Sequence, residues 1–264
     1  MIVTLLTDFG RGDDFAGVCH GVILGICPSA QVIDLTHGIP RHDVRRGALS
    51  LRNALPYVPV GVHLAVVDPG VGTARRGVAL RCGDGRLLVG PDNGLLSLAW
   101  ERLGGVAQAV DLARSSVRLE PVSPTFHGRD VFAPVAAHLA AGAALEQLGE
   151  HVDPAELARM ELPSARSEGG VLVAHVLTID SFGNVELDAS RDELPPGRRV
   201  ELETPAGRFE LARAETFAEV EPGGALLFED SYGAVAVAVN QGHAGSLMGL
   251  APDAEVRISP RTPG

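Results

Sequence analysis

The chain has 264 residues, with 22 basic side chains against 33 acidic ones and a formal charge of −11; at 45% apolar and 21% charged it has the composition of a folded globular protein, enough for one large domain or two small ones. Every basic residue is an arginine, because no lysine occurs, so Schiff-base chemistry on a lysine and a phosphate-loop lysine are both excluded. The acidic balance and the absence of an arginine run argue against nucleic acid or an anionic membrane as partner and favour a small molecule.

In chain order, short apolar runs alternate with helical patterns. Strands are expected at 2–6, 31–35 and 62–67, with helices at 14–27 and 44–55 between them, the signature of βαβ units around a mostly parallel sheet. In the first helix Phe15, Val18, Cys19, Val22 and Ile26 form an apolar stripe. Gly17, Gly21 and Gly25 recur at a spacing that lets a neighbour approach, and Asp13 and Asp14 suit the N-terminal cap. Further strands are expected at 77–81, 86–89 and 106–111, and helices at 95–103 and 130–141. The polar, turn-rich stretch between about 150 and 169 reads as a boundary, giving an α/β N-terminal domain over 1–160 and a small all-β barrel over 168–264 built from seven short strands. No internal repeat is expected.

Cys19, Cys27 and Cys82 fit neither a disulfide framework nor a cysteine zinc site, which suits a reducing cytoplasm. The N-terminus lacks the basic region of a signal peptide, and no run of about 20 apolar residues could span a bilayer.

Three apolar strands lead to an aspartate, Asp8, Asp34 and Asp68. In an open α/β sheet the carboxyl ends of the strands form the ligand crevice, so these carboxylates could converge there or simply cap turns and helices. The loop from Asp68 to Arg76 holds a carboxylate and, at Arg75, a guanidinium across two glycines, so that Asp68 and Arg75 can face one cavity or form a surface ion pair. His127 precedes an apolar helix, where the positive N-terminal end favours the neutral imidazole. His63 and His175 lie within strands and read as structural. In the second domain Asp180-Ser181-Phe182-Gly183-Asn184 reads either as a site or as an Asx turn. The segments around Ser231-Tyr232 and Ala244 are weak signals by themselves.

Thr7-Asp8-Phe9-Gly10, Asp68-Pro69-Gly70-Val71-Gly72, Gly90-Pro91-Asp92-Asn93-Gly94, Phe126-His127-Gly128-Arg129-Asp130 and Phe182-Gly183-Asn184 together resemble, in order and spacing, the S-adenosylmethionine hydroxide adenosyltransferases, relatives of the halogenating enzymes that act on the same substrate. The resemblance spans essentially the whole chain. It implies an α/β domain followed by a β-barrel, and homotrimers with sites between subunits. It also implies hydrolysis of S-adenosylmethionine to adenosine and methionine without metal or other cofactor. By the same resemblance Asp68, Arg75 and His127 form the catalytic triad that orients or deprotonates water, and the sequence leaves open which of them takes the proton. Asp8 would bind the ribose hydroxyls. Asp180 and Asn184 would hold the methionine ammonium, Ser231 and the Tyr232 amide would face its carboxylate, and Phe182 and the Ala244 backbone would border the adenine. The chain departs from the halogenating relatives in carrying Tyr232 where they have an arginine, and from hydrolases that carry a lysine where His20 stands.

Three other readings are weighed. Halide attack on the same substrate is opposed by the Asp68 and Arg75 loop and by the lack of the halogenases' inserted segment. A calcium-dependent nucleoside hydrolase would need a further aspartate where Leu6-Thr7 stands. A non-catalytic protein that binds adenosine or its sulfonium conjugate would retain binding without turnover.

Overall fold

The computed structural model describes residues 1–261 and divides into two compact units, one ending at Met160 and the other beginning at Glu161. The first runs β1 (Ile2–Thr7), α1 (Phe15–Ile26), β2 (Gln31–Thr36), α2 (Val44–Ala54), β3 (Val62–Val66), β4 (Gly77–Cys82), β5 (Leu87–Pro91), α3 (Ser97–Arg102), β6 (Val106–Asp111), α4 (Ala133–Ala140) and β7 (Glu150–Val152). Its sheet has the order β2-β1-β3-β5-β4-β6-β7. The half from β2 to β5 is parallel, with helical crossovers joining β1, β2 and β3, while β4, β6 and β7 pair antiparallel because β4 returns to β5 through a tight turn. The sheet is thus mixed, and its parallel half carries the crevice.

Helices cover both faces. Cys19 and Ile23 of α1 pack with the alanine-rich α4 over one face, and Leu51 of α2 with Trp100 of α3 over the other. β3 lies inside the sheet between β1 and β5 and is buried along its whole length, which is why Val-His-Leu-Ala-Val reads as a near-continuous apolar run. His63 sits in it bonded to Thr4 at 2.9 Å, and burial lowers its pKa to about 4, so it is a neutral core histidine. Two expectations for α1 fail. Asp14 occupies the N-cap position, but its side chain makes no capping bond. Gly17, Gly21 and Gly25 face open space instead of a close neighbour, because the core side of the helix is the one bearing Cys19 and Ile23.

The second unit contains β8 (Arg166–Glu168), β9 (Val171–Ile179), β10 (Val185–Leu187), β11 (Arg199–Thr204), β12 (Gly207–Arg213), β13 (Ala225–Glu229), β14 (Val235–Val239), a short helix α5 (Ala244–Leu247) and β15 (Glu255–Pro260). The sheet order β10-β14-β13-β12-β11-β15-β9 closes through a β9–β10 pairing, so seven strands form a barrel and β8 extends β9 outside it. Leu172, Val200, Leu211, Val237 and Ile258 fill the interior. Among the described residues no helix is long and apolar enough to cross a membrane.

Leu64, wholly buried in β3 between the two helical layers, is the sharpest probe of the first core. Leu64→Ala should lower stability by about 3 kcal/mol, through lost burial plus an unfilled cavity, measured as a shift of the denaturant midpoint.

Candidate active site

The carboxyl ends of β1 and β3 open into a cavity of about 280 Å³, with Asp8 and Asp68 on its wall. Asp8 follows directly on β1 and Asp68 follows β3 after one intervening residue, both buried strands, so their position is fixed by the sheet. Asp8 Oδ2 accepts the His42 N–H at 2.8 Å. His42 holds a left-handed backbone at φ 66°, uncommon outside glycine, beside this bond. Asp34, the third strand-end aspartate, does not join them: it lies in edge strand β2 and pairs with His20 and His37.

The loop after Asp68 doubles back through Val71 N–H to Asp68 O and Thr73 N–H to Gly70 O. Gly72 is at φ 77°, and a Cβ there would stand 2.4 Å from the Pro124 carbonyl, so only glycine lets this loop pack on the segment leading to His127. The fold-back returns Arg75 to Asp68 as a two-pronged pair: Nε donates to Oδ1 at 3.0 Å and Nη2 to Oδ2. Both side chains are more than nine-tenths buried. Nη2 also donates to His127 Nδ1 at 3.2 Å, and the guanidinium lies 5.4 Å over the Phe132 ring.

That contact decides the tautomer of His127. Arg75 can only donate, so Nδ1 must be the unprotonated nitrogen and the neutral ring carries its proton on Nε2. Burial, and then the Arg75 charge, hold the His127 pKa below its ordinary 6.5, so the ring is neutral near pH 7. His127 is the N-cap of a single π-helical turn, Gly128–Phe132, that runs into α4. Asp130 in that turn is buried, accepting Ser123 N–H at 2.8 Å and the Arg129 guanidinium, which locks the segment. The three sequence candidates Asp68, Arg75 and His127 are therefore linked in one network.

Several lining residues escaped the sequence reading. Phe9, Phe15 and Phe126 pack with centroids 5.1–5.9 Å apart, both contacts of Phe126 edge-on, an aromatic wall assembled from the β1–α1 stretch and the distant segment before His127. Arg41, His42 and Thr125 also face the cavity. Nothing in their local pattern marks them.

In the second unit, Asp180-Ser181-Phe182-Gly183-Asn184 and Asp230-Ser231-Tyr232-Gly233-Ala234 form the same turn twice. Each aspartate Oδ1 accepts the N–H groups two and four residues ahead, at 2.8 and 2.9 Å, and each glycine has positive φ. This short repetition was not expected from the sequence. Asp180 Oδ2 also accepts Asn184 Nδ2 at 2.8 Å, so both oxygens of Asp180 close their own loop. The Tyr232 amide is likewise given to Asp230. The pairing of Val185 with Val237 puts the two turns at opposite ends of β14. Phe182 is 78% exposed and, with Asn184, Gln241 and Gly242, borders an apolar hollow. Ala244 is fully buried in the barrel cluster, and its carbonyl accepts Met248 N–H.

The chain matches the family profiles for the SAM hydroxide adenosyltransferase N-terminal domain over residues 3–149 and C-terminal domain over residues 174–257. It is therefore a member of the SAM hydroxide adenosyltransferase family. A curated relative from Salinispora tropica, named (R)-S-adenosyl-L-methionine hydrolase, is 51% identical, with 97% of each chain covered. A fluorinase from an Actinoplanes species is 30% identical, with 90% of this chain and 91% of that one covered. Among solved structures, an uncharacterized conserved protein from Thermotoga maritima matches with a TM-score of 0.90 at 33% identity, covering 98% of this chain and all of the other.

The His127 imidazole should titrate below 6.5 in a histidine-selective NMR experiment, and Arg75→Gln should move it upward, since the neighbouring positive charge opposes protonation. An unmoved titration would remove Arg75 as a cause.

Proposed function

We propose that this chain hydrolyses S-adenosyl-L-methionine to adenosine and L-methionine, with Asp68, Arg75 and His127 carrying the step. The observation that carries the proposal is their single network, whose Asp68 and His127 line the same cavity as Asp8. The family membership and the hydrolase relative at 51% identity support the same reaction. Water oxygen bonds to the ribose 5′ carbon as the carbon–sulfur bond breaks. Its electron pair goes to sulfur, turning a sulfonium into a neutral thioether, so the leaving group needs no acid.

The released proton needs an acceptor. With Nδ1 engaged by Arg75, His127 offers Nε2–H as a donor that orients the water oxygen. Asp68 is the base, and Arg75 stabilises its carboxylate and any hydroxide character in the water. Asp8, with one oxygen on His42, binds the ribose hydroxyls.

In the second unit the opposite-ended turns suit an elongated ligand. Phe182 and Asn184, beside the apolar hollow, border the adenine, with Gln241 and Gly242 presenting the open surface in front of buried Ala244. Ser231 and Tyr232 face the methionine carboxylate. The resemblance gives Asp180 and Asn184 the methionine ammonium; because that group shares its carbon with the carboxylate assigned to the turn at the other end of β14, Asp180 instead shapes its loop and the carboxamide oxygen of Asn184 serves the adenine. The active form is a homotrimer with sites between subunits, working in the cytoplasm without a metal in the chemical step.

The test supplies (R) and (S) sulfonium epimers separately, with and without chelator and excess halide, followed by chromatography of the nucleosides. Adenosine with methionine, indifferent to chelator and halide, is expected. Halodeoxyadenosine would make the nucleophile a halide, and binding without turnover would make this a sensor. Asp68→Ala and His127→Ala should each lower kcat by at least about a hundredfold while sparing adenosine affinity. Asp8→Ala should weaken adenosine binding by about tenfold or more in calorimetry. Protonation of His127 puts a proton on Nδ1 against the Arg75 N–H and breaks that contact, so the acidic limb of the pH–rate profile should fall below 6.5.

A further inference from the structure

On the first unit, apart from the proposed catalytic network, His20 of α1, Asp34 of β2 and His37 just beyond β2 bring three ligand atoms within 4.8 Å of one another. Asp34 Oδ1 is 2.7 Å from His20 Nε2 and 3.1 Å from His37 Nε2. A regular strand would send residues 34 and 37 to opposite faces, because side chains alternate. Here the register with β1 slips, Leu5 pairing with Asp34 but Leu6 with Thr36, and this bulge brings both side chains to one side.

The less exposed of these two histidines carries the argument. His37 is 7% exposed, and its Nε2 is buried with no hydrogen-bond partner, since Asp34 lies off the line of a bond despite its proximity. A buried ring nitrogen with nothing to bind is costly unless something occupies its lone pair. On its other side, Nδ1 is 2.9 Å from Thr7 Oγ1, which also accepts the Phe9 N–H at 3.2 Å. If Nδ1–H donates to Thr7, Nε2 is left bare and aimed at Asp34 and His20. This is how a second group fixes the tautomer of a metal-binding histidine.

We propose that His20 Nε2, Asp34 Oδ1 and His37 Nε2 form a zinc-binding site. Two imidazoles and a carboxylate are a zinc donor set. Tetrahedral bonds of 2.0–2.1 Å set ligand atoms about 3.3 Å apart, so Asp34 Oδ1 parts from each imidazole by tenths of an ångström while the two ring nitrogens, no more than 4.8 Å apart, adjust to the same spacing. The Asp34 side chain is 43% exposed, which leaves water a route to the fourth position. Zinc here ties edge strand β2 to α1. The site stands apart from the proposed hydrolysis, because neither His20 nor Asp34 lines the cavity at Asp68.

Tag-free full-length protein, stripped with chelator and desalted, is titrated with Zn²⁺ by calorimetry, with Co²⁺ absorption as a second probe. One zinc per chain is expected, at micromolar affinity or tighter, with a tetrahedral cobalt spectrum and a zinc-dependent rise in Tm. His20→Ala and Asp34→Asn, both at partly exposed positions, should each weaken binding by at least about tenfold. Thr7→Val should weaken it by roughly tenfold through the lost support of His37. His151→Ala, an exposed histidine elsewhere, should bind as the parent does. Absent uptake, binding weaker than micromolar, or uptake that survives both His20→Ala and Asp34→Asn overturns the site. None of these readouts requires turnover, so they stand or fall separately from the hydrolase proposal.

Discussion

The forked ion pair between Asp68 and Arg75 organises the first unit's crevice. Two buried opposite charges are tolerable only together, since losing either leaves the other uncompensated in a low-dielectric setting. The pair closes the loop after β3, the closed loop packs through Gly72 on Pro124, and the segment from Pro124 carries His127 to the guanidinium. One arginine thus sets the position of a carboxylate and the tautomer of an imidazole, and adds to the burial that lowers the imidazole's proton affinity.

The two units present their polar groups by different physical means. In the first, carboxylates stand at the ends of buried strands and inherit the rigidity of the sheet. In the second, the site candidates ride on turns whose hydrogen bonds are internal to five residues. The first arrangement fixes charge; the second fixes the direction in which an aromatic ring is offered to solvent.

Much of this was legible in the chain because it rests on local rules. Alternating apolar runs give the α/β unit, and the turn-rich stretch before a series of short strands gives the barrel. Asp8 and Asp68 were visible as strand-end carboxylates, and Arg75 by its return across two glycines. What stayed hidden depends on register and on distant segments. Asp34 looked equivalent to Asp8, but its edge-strand position and a bulge turn it toward two histidines. The antiparallel half of the sheet follows from a hairpin that periodicity does not reveal. The wall of Phe9, Phe15 and Phe126 is a tertiary fact with no local signature.

The paired turns in the barrel have a consequence for how such a protein changes over time. In each, the aspartate and the glycine close the turn through backbone amides, while the aromatic residue just before the glycine, Phe182 or Tyr232, lends its own amide and keeps its side chain exposed. Shape and recognition are assigned to different letters of one short word. The middle letter can be rewritten while the spelling that closes the loop stands, so a barrel of this kind can acquire a taste for new ligands without relearning how to fold.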